Sequence, residues 1–504
     1  MFRTVVQNDH AEVAVIGGGL AGMATALRLQ AAGVRTVALE AHGHAGGCAG
    51  YWRHKGFSFD VGATTLVDFE PGGVGGQLLE AVGLPPVAGE RLPGYEAWLP
   101  DRRVRLHKDA SQWRAERLRA FGDDEAHRRL WRLLDRVAAV FWRASRAGIR
   151  MPLRRPADLL HDLRVIGVRH VPMARHLLGT VGAAMRRCGV HEDVALRGLL
   201  GMLLEDTVHS GVEQAPLING ALGITMRGAG LVRHDGGMHG FWRVLVRHYR
   251  SLGGDLRLAA EVSGVDAVSD GYRIVTRRGI VAARRVVFAV PAQAVARIAP
   301  SLPVAARLRP YVARDREHLG GAVVVFLGVP SSEVDGQVLR HHQLLQDYDR
   351  PLGDGNNMFI SVSAEDDRLS APTGHRAVMI STHTSLRDWT GLDEDEYQQR
   401  KKEIGERLVS YAHRVYPTLG DRALVYDVGT PRTYERFALR PHGAVGGAHL
   451  TNRNANQFAV PHDLGGPGVW LVGDTTWPGL GTVAAALASR HVAEAILRER
   501  RRVR

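Results

Sequence analysis

Residues 12–22 read Glu-Val-Ala-Val-Ile-Gly-Gly-Gly-Leu-Ala-Gly, a short apolar run that leads straight into a glycine turn. Gly17, Gly19 and Gly22 have the spacing of the turn that binds the pyrophosphate of a dinucleotide. In that turn the first glycine permits a tight bend, the second lets the backbone approach the phosphates, and the third lets helix and strand pack closely. The stretch therefore predicts the start of a dinucleotide-binding βαβ unit.

The residues that follow complete this unit. Residues 23–32 have the composition of a helix, whose N-terminus would present free N–H groups to the phosphates. A second apolar run, residues 36–39, ends at Glu40, about 20 residues beyond the glycines, where a carboxylate accepts a hydrogen bond from a ribose hydroxyl. Three glycines can coincide by chance in a chain with 59 of them, but strand, helix, strand and acid in this order disfavour coincidence. Glu40 favours FAD or NAD over NADP.

A second nucleotide-binding signal lies near the C-terminus. Residues 469–474, Val-Trp-Leu-Val-Gly-Asp, predict a strand that ends at Asp474, and a glycine loop follows over residues 475–482. The alanine-rich residues 483–498 predict a helix, whose N-terminus can stabilise negative charge on a reduced flavin ring. An ordinary strand–loop–helix of the core is the alternative. Combined with the first unit, this element favours FAD over NAD.

Composition excludes several classes of protein. The chain has 504 residues, of which 45% are hydrophobic, and it holds two cysteines, Cys48 and Cys188. Two cysteines form no disulfide framework, and the 24 histidines show no metal-ligand spacing, so we predict no metal site. No apolar run approaches the length of a membrane span, and the first residues lack the apolar core of a signal peptide. We therefore expect a cytoplasmic protein, or one that is peripheral on the cytoplasmic membrane.

The formal net charge is +13, and all but four of the 65 basic residues are arginines. A genome-wide preference for arginine on solvated surfaces explains this as well as a functional role does. An anionic membrane is the functional alternative, whereas nucleic acid is disfavoured because no nucleic-acid-binding module is present. Residues 146–187 combine numerous arginines with Ile149, Leu159, Leu160 and Leu178. This segment predicts a basic amphipathic surface suited to anionic headgroups, unless the arginine stems simply cover apolar side chains.

The order of elements predicts an α/β protein with discontinuous domains. A Rossmann-like nucleotide-binding domain is expected from residues 1–85, 227–294 and 431–504. Residues 86–226 are expected to form a helical region that faces the substrate or a membrane. Residues 295–430 are expected to form an α+β substrate domain with an antiparallel sheet and helices.

Several blocks along the whole chain resemble one known family. The matching blocks are residues 46–49 (Gly-Gly-Cys-Ala), 56–65, 68–73, 235–238, 430–437, 443–447 and 473–481. In this order they resemble the carotenoid desaturases and isomerases of the amine-oxidase and phytoene-desaturase superfamily. The resemblance is closest to carotenoid 3′,4′-desaturases and prolycopene-isomerase-like proteins. Many superfamily members carry arginine after the glycine doublet, where this chain has Cys48.

The resemblance implies that FAD is the cofactor and suggests which residues hold it. Val262 would contact the adenine through its backbone, Asp474 the ribityl or pyrophosphate part, and Thr482 with Val483 the flavin ring. Residues 62–65 would lie near the reactive face. The implied cofactor-binding residues are Gly17, Gly19, Leu20, Ala21, Glu40, Gly47, Cys48, Ala63, Thr64, Thr65, Val262, Gly473, Asp474, Gly481, Thr482 and Val483.

The implied activity is desaturation of a hydrophobic polyene, such as a carotenoid, by hydride transfer to flavin N5. A conjugated polyene delocalises the developing cation, so a strong base is not required. Glu205, Asp206, His209 and Glu435 are conceivable proton acceptors, but each is equally consistent with a helix surface or a loop, and no catalytic residue is assigned. The scaffold is also suited to polyene isomerisation or reduction, or, without flavin, to carrying an isoprenoid. Relatives that oxidise amines often keep a lysine that contacts flavin N5 through a water molecule. None of the four lysines of this chain falls in a matching block, so amine oxidation is disfavoured.

Overall fold

The computed structural model describes residues 10–503. The prediction that the first residues form no signal peptide concerns residues 1–9, which lie outside the described residues. The strands are β1 (His10–Ile16), β2 (Thr36–Leu39), β3 (Tyr51–His54), β4 (Phe57–Asp60), β5 (Leu66–Val67), β6 (Gly89–Arg91), β7 (Gly94–Trp98), β8 (Arg103–His107), β9 (Leu231–His234), β10 (Asp255–Arg257), β11 (Val262–Val268), β12 (Gly271–Thr276), β13 (Gly279–Phe288), β14 (Gly320–Pro330), β15 (His341–Leu345), β16 (Asn357–Val362), β17 (His375–Ser385), β18 (Val425–Gly429) and β19 (Val469–Leu471).

Helices alternate with these strands and fill the long insertions. They are α1 (Leu20–Ala31), α2 (Val74–Ala81), α3 (Ala110–Phe121), α4 (Glu125–Arg146), α5 (Pro156–Ile166), α6 (Val181–Cys188), α7 (Val194–Val208), α8 (Leu217–Ile224), α9 (Met226–Ala229), α10 (Gly237–Ser251), α11 (Ala292–Ile298), α12 (Pro303–Asp315), α13 (Glu394–Ala412), α14 (Pro431–Ala438) and α15 (Thr482–Val503). No helix within residues 10–503 has both the length and the apolarity needed to cross a bilayer.

The first large sheet is the predicted Rossmann-like sheet, assembled from discontinuous segments as expected. Its strand order is β10-β2-β1-β13-β12-β11, and β19 also pairs with β13. Strands β1, β2, β10, β13 and β19 run parallel to their neighbours in this group. The parallel strands are buried on both faces, which explains their continuous apolar sequences. Segments from the two ends of the chain therefore lie on either side of β13.

One predicted strand of this sheet is interrupted. The sequence of residues 255–265 predicts a single strand, but these residues divide into β10 and β11. Between the two strands, Ala259 has a φ of 49° and its N–H donates to the carbonyl of His42. The N–H of Ala260 donates to the carbonyl of Glu40. The backbone thus leaves the sheet to bond to the residues that follow β2, and this bend brings Val262 to the edge of the sheet.

The second large sheet has the order β18-β14-β17-β16-β15-β7-β8. Its central strands, β14 and β17, pair antiparallel from Gly320 opposite Ser385 to Pro330 opposite His375. Two of its strands, β7 and β8, come from the segment predicted to be helical, because alternating apolar residues there pack against the sheet core. Conversely, α11 and α12, expected in the substrate domain, pack on the Rossmann-like sheet through Val295, Ile298 and Leu308.

The helical region packs through amphipathic surfaces. In α4 the Asp124 carboxylate caps the N-terminus by accepting from the N–H groups of Ala126 and His127. Leu130, Trp131 and Leu134 lie on its buried face, as the helical spacing of the apolar residues predicts.

A buried ion pair joins the small β3–β4 hairpin to β9 and α10. The Arg233 guanidinium is paired with the Asp60 carboxylate, and both side chains are almost entirely buried. The other oxygen of Asp60 accepts from the N–H of Met238 at 2.7 Å, at the start of α10. Removing one partner of such a pair leaves the other charge buried and uncompensated.

We expect Asp60→Asn to lower the free energy of unfolding by about 3–5 kcal/mol, since Arg233 would keep its charge without a carboxylate. Urea denaturation followed by circular dichroism measures this change. The control is Asp123→Asn, which removes an exposed ion pair with Arg128 at 2.6 Å and should cost less than about 1 kcal/mol. Equal effects of the two substitutions would contradict the prediction.

Candidate active site

A cavity of about 1,100 Å³ lies between the two large sheets. This volume is at or above the range of about 300–1,000 Å³ that is typical of small-molecule sites. One end is lined by the carboxyl edge of the Rossmann-like sheet, including Ile16, Leu39 and Ala289. The other end is lined by the second sheet and by α7, including Phe326, Met358 and Met202. The cavity is therefore long enough to join a nucleotide site to a substrate site.

The glycine turn after β1 is packed so closely that larger residues do not fit. Gly17 has a φ of 110°, and a Cβ added there would lie 2.5 Å from the carbonyl oxygen of Ala289. A Cβ on Gly22 would lie 2.1 Å from the carbonyl oxygen of Gly17. These contacts fix the N-terminus of α1 at the cavity wall, where its free N–H groups favour an anion.

Glu40 lies at the carboxyl end of β2, on the same wall. Its Oε2 accepts from the N–H of Gly18 at 2.6 Å, and its Oε1 accepts from the N–H of His42 at 2.7 Å. Burial raises the pKa of Glu40, although these backbone hydrogen bonds favour the ionised carboxylate. The side chain is thus held in place by its own backbone neighbours, as a ribose-binding acid must be.

Asp474 follows β19 and reaches the cavity from the C-terminal segment. Its carboxylate lies 2.8 Å from the guanidinium of Arg440. Burial works against the charge of Arg440, but the adjacent carboxylate raises its pKa above the usual value, so the guanidinium stays charged. Sequence analysis missed Arg440, which lies between two of the blocks that carry the family resemblance. Asp474 is therefore held by an ion pair rather than left free to rotate.

The cavity wall has the shape needed for FAD. Gly19 and Gly481 both line the cavity. A Cβ on Gly19 would meet no atom closer than 3.9 Å, and one on Gly481 would meet none within 4 Å, so a side chain at either position would project into open cavity space. Since Gly481 directly precedes α15, a second helix N-terminus also points at the cavity. Two helix N-termini, an acid at the end of β2 and two bare glycines fit a flavin dinucleotide.

Most of the implied cofactor-binding residues line this cavity. They are Gly17, Gly19, Leu20, Ala21, Glu40, Gly47, Cys48, Ala63, Val262, Gly473, Asp474, Gly481 and Thr482. Three others do not line it. The Thr65 hydroxyl is buried 3.0 Å from the hydroxyl of Tyr95, the carbonyl of Thr64 accepts from Arg233, and Val483 packs into the core on the inner side of α15.

The substrate end of the cavity combines apolar and polar surfaces. Its apolar wall consists of Met202, Ala322, Val324, Phe326, Met358 and Phe359. Its polar residues are Asp206, His209, Gln343, Asn357 and His383. Of the four conceivable proton acceptors, Asp206 and His209 line the cavity, whereas Glu435 is exposed outside it. Glu205 lies beside the cavity, with its Oε2 buried and without a hydrogen-bond partner among the described residues.

Comparisons with known proteins agree with this geometry. The sequence profile of the family described as flavin containing amine oxidoreductase matches residues 20–497. Prolycopene isomerase 1 from an Oncidium hybrid cultivar is 23% identical over 512 residues, which cover 96% of this chain and 83% of that protein. Phytoene dehydrogenase from Streptomyces griseus is 26% identical over 523 residues, which cover 97% of this chain and 95% of that protein. The crystal structure of an oxidoreductase from Methanosarcina mazei superimposes with a TM-score of 0.63 at 15% identity, covering 96% of this chain and 99% of that one.

We expect Glu40→Gln to weaken FAD binding at least about tenfold, because a hydrogen bond to a charged acceptor contributes about 1.5–3 kcal/mol. The stability of the flavin-free protein should also fall, because the side-chain NH2 of glutamine would replace one of the two oxygens that accept from the N–H groups of Gly18 and His42 and would leave that donor without an acceptor. Flavin titration followed by absorbance, together with thermal unfolding, measures both effects. Glu80→Gln, at an exposed position of α2, is the control; unchanged FAD affinity in Glu40→Gln would disprove the assignment.

Proposed function

Because this chain belongs to the family of flavin containing amine oxidoreductases, we propose that it uses FAD to desaturate a hydrophobic polyene of the carotenoid class. The family identifies the protein as an FAD-dependent oxidoreductase, in agreement with the resemblance found in the sequence. The choice of substrate is supported by relatives along nearly the whole chain that are named for prolycopene and phytoene.

The observation that carries the proposal is the continuity of the cavity. A single space joins the residues suited to FAD with a wall built from β14, β16 and α7. Methionine and phenylalanine side chains on that wall, such as Met202, Met358 and Phe359, suit an extended apolar ligand. A polyene held against this wall would extend toward the flavin-binding part of the same cavity.

The residues of the chain divide into those that would hold FAD and those that would hold the substrate. Gly17, Gly19 and the N-terminus of α1 would bind the pyrophosphate, and Glu40 would orient the adenosine ribose. Asp474, fixed by Arg440, would contact the ribityl or pyrophosphate part, and the N-terminus of α15 would stabilise negative charge on the flavin ring. When bound, FAD supplies a two-electron hydride acceptor. The apolar wall excludes water and keeps the polyene in place.

Isomerisation is the second candidate function, since one relative that covers 96% of this chain is named for prolycopene isomerisation. Both reactions need the same cavity. The relatives that align with nearly the whole chain, prolycopene isomerase and phytoene dehydrogenase, are named for polyenes rather than for amines. Lys401 does lie on the cavity wall. Its Nζ is 3.4 Å from the Asp427 carboxylate, so it is paired with an acid.

We expect the purified flavoprotein to convert phytoene into products that are lighter by two hydrogens for each double bond formed. Incubation in detergent with a quinone as electron acceptor, followed by mass spectrometry, measures this. Prolycopene tested in parallel distinguishes the alternatives, because isomerisation leaves the mass unchanged and reduction adds two hydrogens. If phytoene is unchanged while prolycopene is converted without a change in mass, the second function replaces the first.

We also propose that the protein binds the surface of an anionic membrane, where a carotenoid resides. The basic apolar surface, defined here, consists of Leu159, Leu160, Val168, Val171 and Leu178 with Arg164, Arg169 and Arg175. Val168 is 81% exposed and Leu178 is 70% exposed. None of the three arginines forms an ion pair with another residue of the described range 10–503. Exposed apolar side chains among unpaired cations favour insertion among anionic headgroups.

We expect the double variant Leu160→Glu with Val168→Glu to bind anionic vesicles at least about tenfold more weakly, because each buried aliphatic side chain contributes about 1.5–3 kcal/mol. Co-sedimentation with phosphatidylglycerol vesicles measures the change, and phosphatidylcholine vesicles test the need for anionic lipid. Val338→Glu is the matched control, since Val338 is 80% exposed but lies outside this surface. Equal binding of all variants would argue against a membrane role for this surface.

A further inference from the structure

We propose that His209 is the general base of the reaction, which accepts the proton that leaves the substrate carbon. This inference rests on the proposed desaturation and adds a residue that the family comparison does not supply. It is carried by the position of His209 in the cavity, by its unpartnered nitrogen and by the acidic and imidazole groups behind it.

His209 lies where the two ends of the cavity meet. A Cβ added to Gly446 would be 2.4 Å from Cε1 of the His209 ring. A Cβ added to the next residue, Gly447, would be 2.8 Å from the carbonyl oxygen of Asp474. Two adjacent glycines thus separate His209 from the residue expected to hold the ribityl chain. The ring also lines the cavity beside Met202 and Asp206, on the substrate side.

The backbone holds His209 in an uncommon conformation. It is the C-cap of α7 and has a φ of 57°, in the left-handed region that most non-glycine residues avoid. A glycine or asparagine is the usual choice at the end of a helix. The imidazole is therefore retained at a position where a smaller residue would be conformationally preferred, which is typical of functional sites.

The imidazole is available as a base. His209 is only 8% exposed, and its Nδ1 is buried without a hydrogen-bond partner among the described residues, so the nitrogen that can reach the substrate is Nε2, which also forms no hydrogen bond with a described residue. Burial lowers the pKa of His209 well below the usual value, and the neighbouring His383, His449 and Arg440 lower it further. The ring is consequently neutral near pH 7.

A carboxylate and a second imidazole lie behind His209. The rings of His209 and His383 are 4.7 Å apart, centroid to centroid. Glu205 lies one helical turn before His209 in α7 and interacts electrostatically with His383. Burial raises the pKa of Glu205, and its Oε2 lacks a partner among the described residues. A carboxyl group and a second imidazole thus lie next to His209, although no hydrogen bond among the described residues links them to its ring.

The proposed step removes a hydride and a proton from two adjacent carbons of the substrate. One hydrogen leaves its carbon with the bonding electron pair and reduces FAD by two electrons. The hydrogen on the adjacent carbon leaves as a proton and bonds to a nitrogen of His209. The electron pair of the broken C–H bond becomes the new carbon–carbon double bond. A neutral imidazole is basic enough because removal of hydride makes the adjacent C–H bond strongly acidic.

The test compares His209→Asn with wild type, because asparagine tolerates the left-handed backbone at this position. We expect kcat for phytoene to fall about 100-fold, with KM, the phytoene dissociation constant and the FAD content unchanged. In wild type, kcat/KM should stay level through neutral pH and fall only well below pH 6.5, because burial lowers the pKa of His209 well below the usual value. This acid limb should be missing from the residual activity of His209→Asn.

The matched control is His449→Asn. His449 is a neighbouring histidine whose ring centroid is 6.1 Å from that of His209, but it does not line the cavity. We expect this variant to keep the wild-type kcat within about threefold and to retain the acid limb.

Wild-type kcat and an intact acid limb in His209→Asn would overturn the proposal. If this variant does not accumulate as a folded flavoprotein, the wild-type profile decides. A single-proton loss of kcat/KM well below pH 6.5 supports the base, and a profile that stays flat over the whole pH range in which the protein is folded overturns it. If wild type does not dehydrogenate phytoene at all, the proposed function fails, which is distinct from failure of the base.

Discussion

The architecture depends on the parallel pairing of β13 with β1 on one side and with β19 on the other. Because strands that run in the same direction end at the same edge of a sheet, the glycine turn after β1 and the loop after β19 meet there. Ligands of open α/β sheets bind at this edge. The pairing therefore brings together two helix N-termini, from α1 and α15, that are separated by nearly the whole chain.

Much of this arrangement could be predicted from local sequence. The glycine turn, Glu40 and Asp474 each follow an apolar strand, and such short-range patterns are set by backbone geometry. What sequence could not supply was the long-range pairing. The ion pair between Asp474 and Arg440 joins two loops that are close only in the folded chain. The strands β7 and β8 were not predicted from the arginine-rich segment that contains them. Strand β7 joins the sheet by pairing with β15, which lies more than two hundred residues away along the chain, and β8 pairs with β7.

The same limit applies to residues whose position relative to the cavity local sequence does not determine. Thr64 and Thr65 follow the hairpin that the resemblance places near the reactive face, but Tyr95 and Arg233 draw them into the interior. A continuous strand over residues 255–265 is favoured by its apolar composition, yet the N–H groups of Ala259 and Ala260 find better acceptors after β2. Tertiary hydrogen bonds overrode the local preference in both cases.

The substrate end of the cavity contains more polar side chains than the binding of an apolar polyene requires. Within residues 10–503, Nδ1 of His209 and Oε2 of Glu205 are buried without a hydrogen-bond partner, and each such group costs about 1–3 kcal/mol. Proteins retain destabilising groups of this kind where activity depends on them. Asn357 of β16 and His383 of β17 line the same space as Asp206 and His209, so the polar groups of this part of the cavity come from both the sheet and the end of α7.

The position of β19 has a consequence for synthesis in the cell. The chain leaves the ribosome from its N-terminus, so the edge of β13 that β19 covers is made long before its partner strand. Until the last segment emerges, that apolar edge has no partner within the sheet and is open to association with other chains. A chain that ends before β19 would therefore leave residues 286–288 of β13 without their partner strand and open to pairing with another chain.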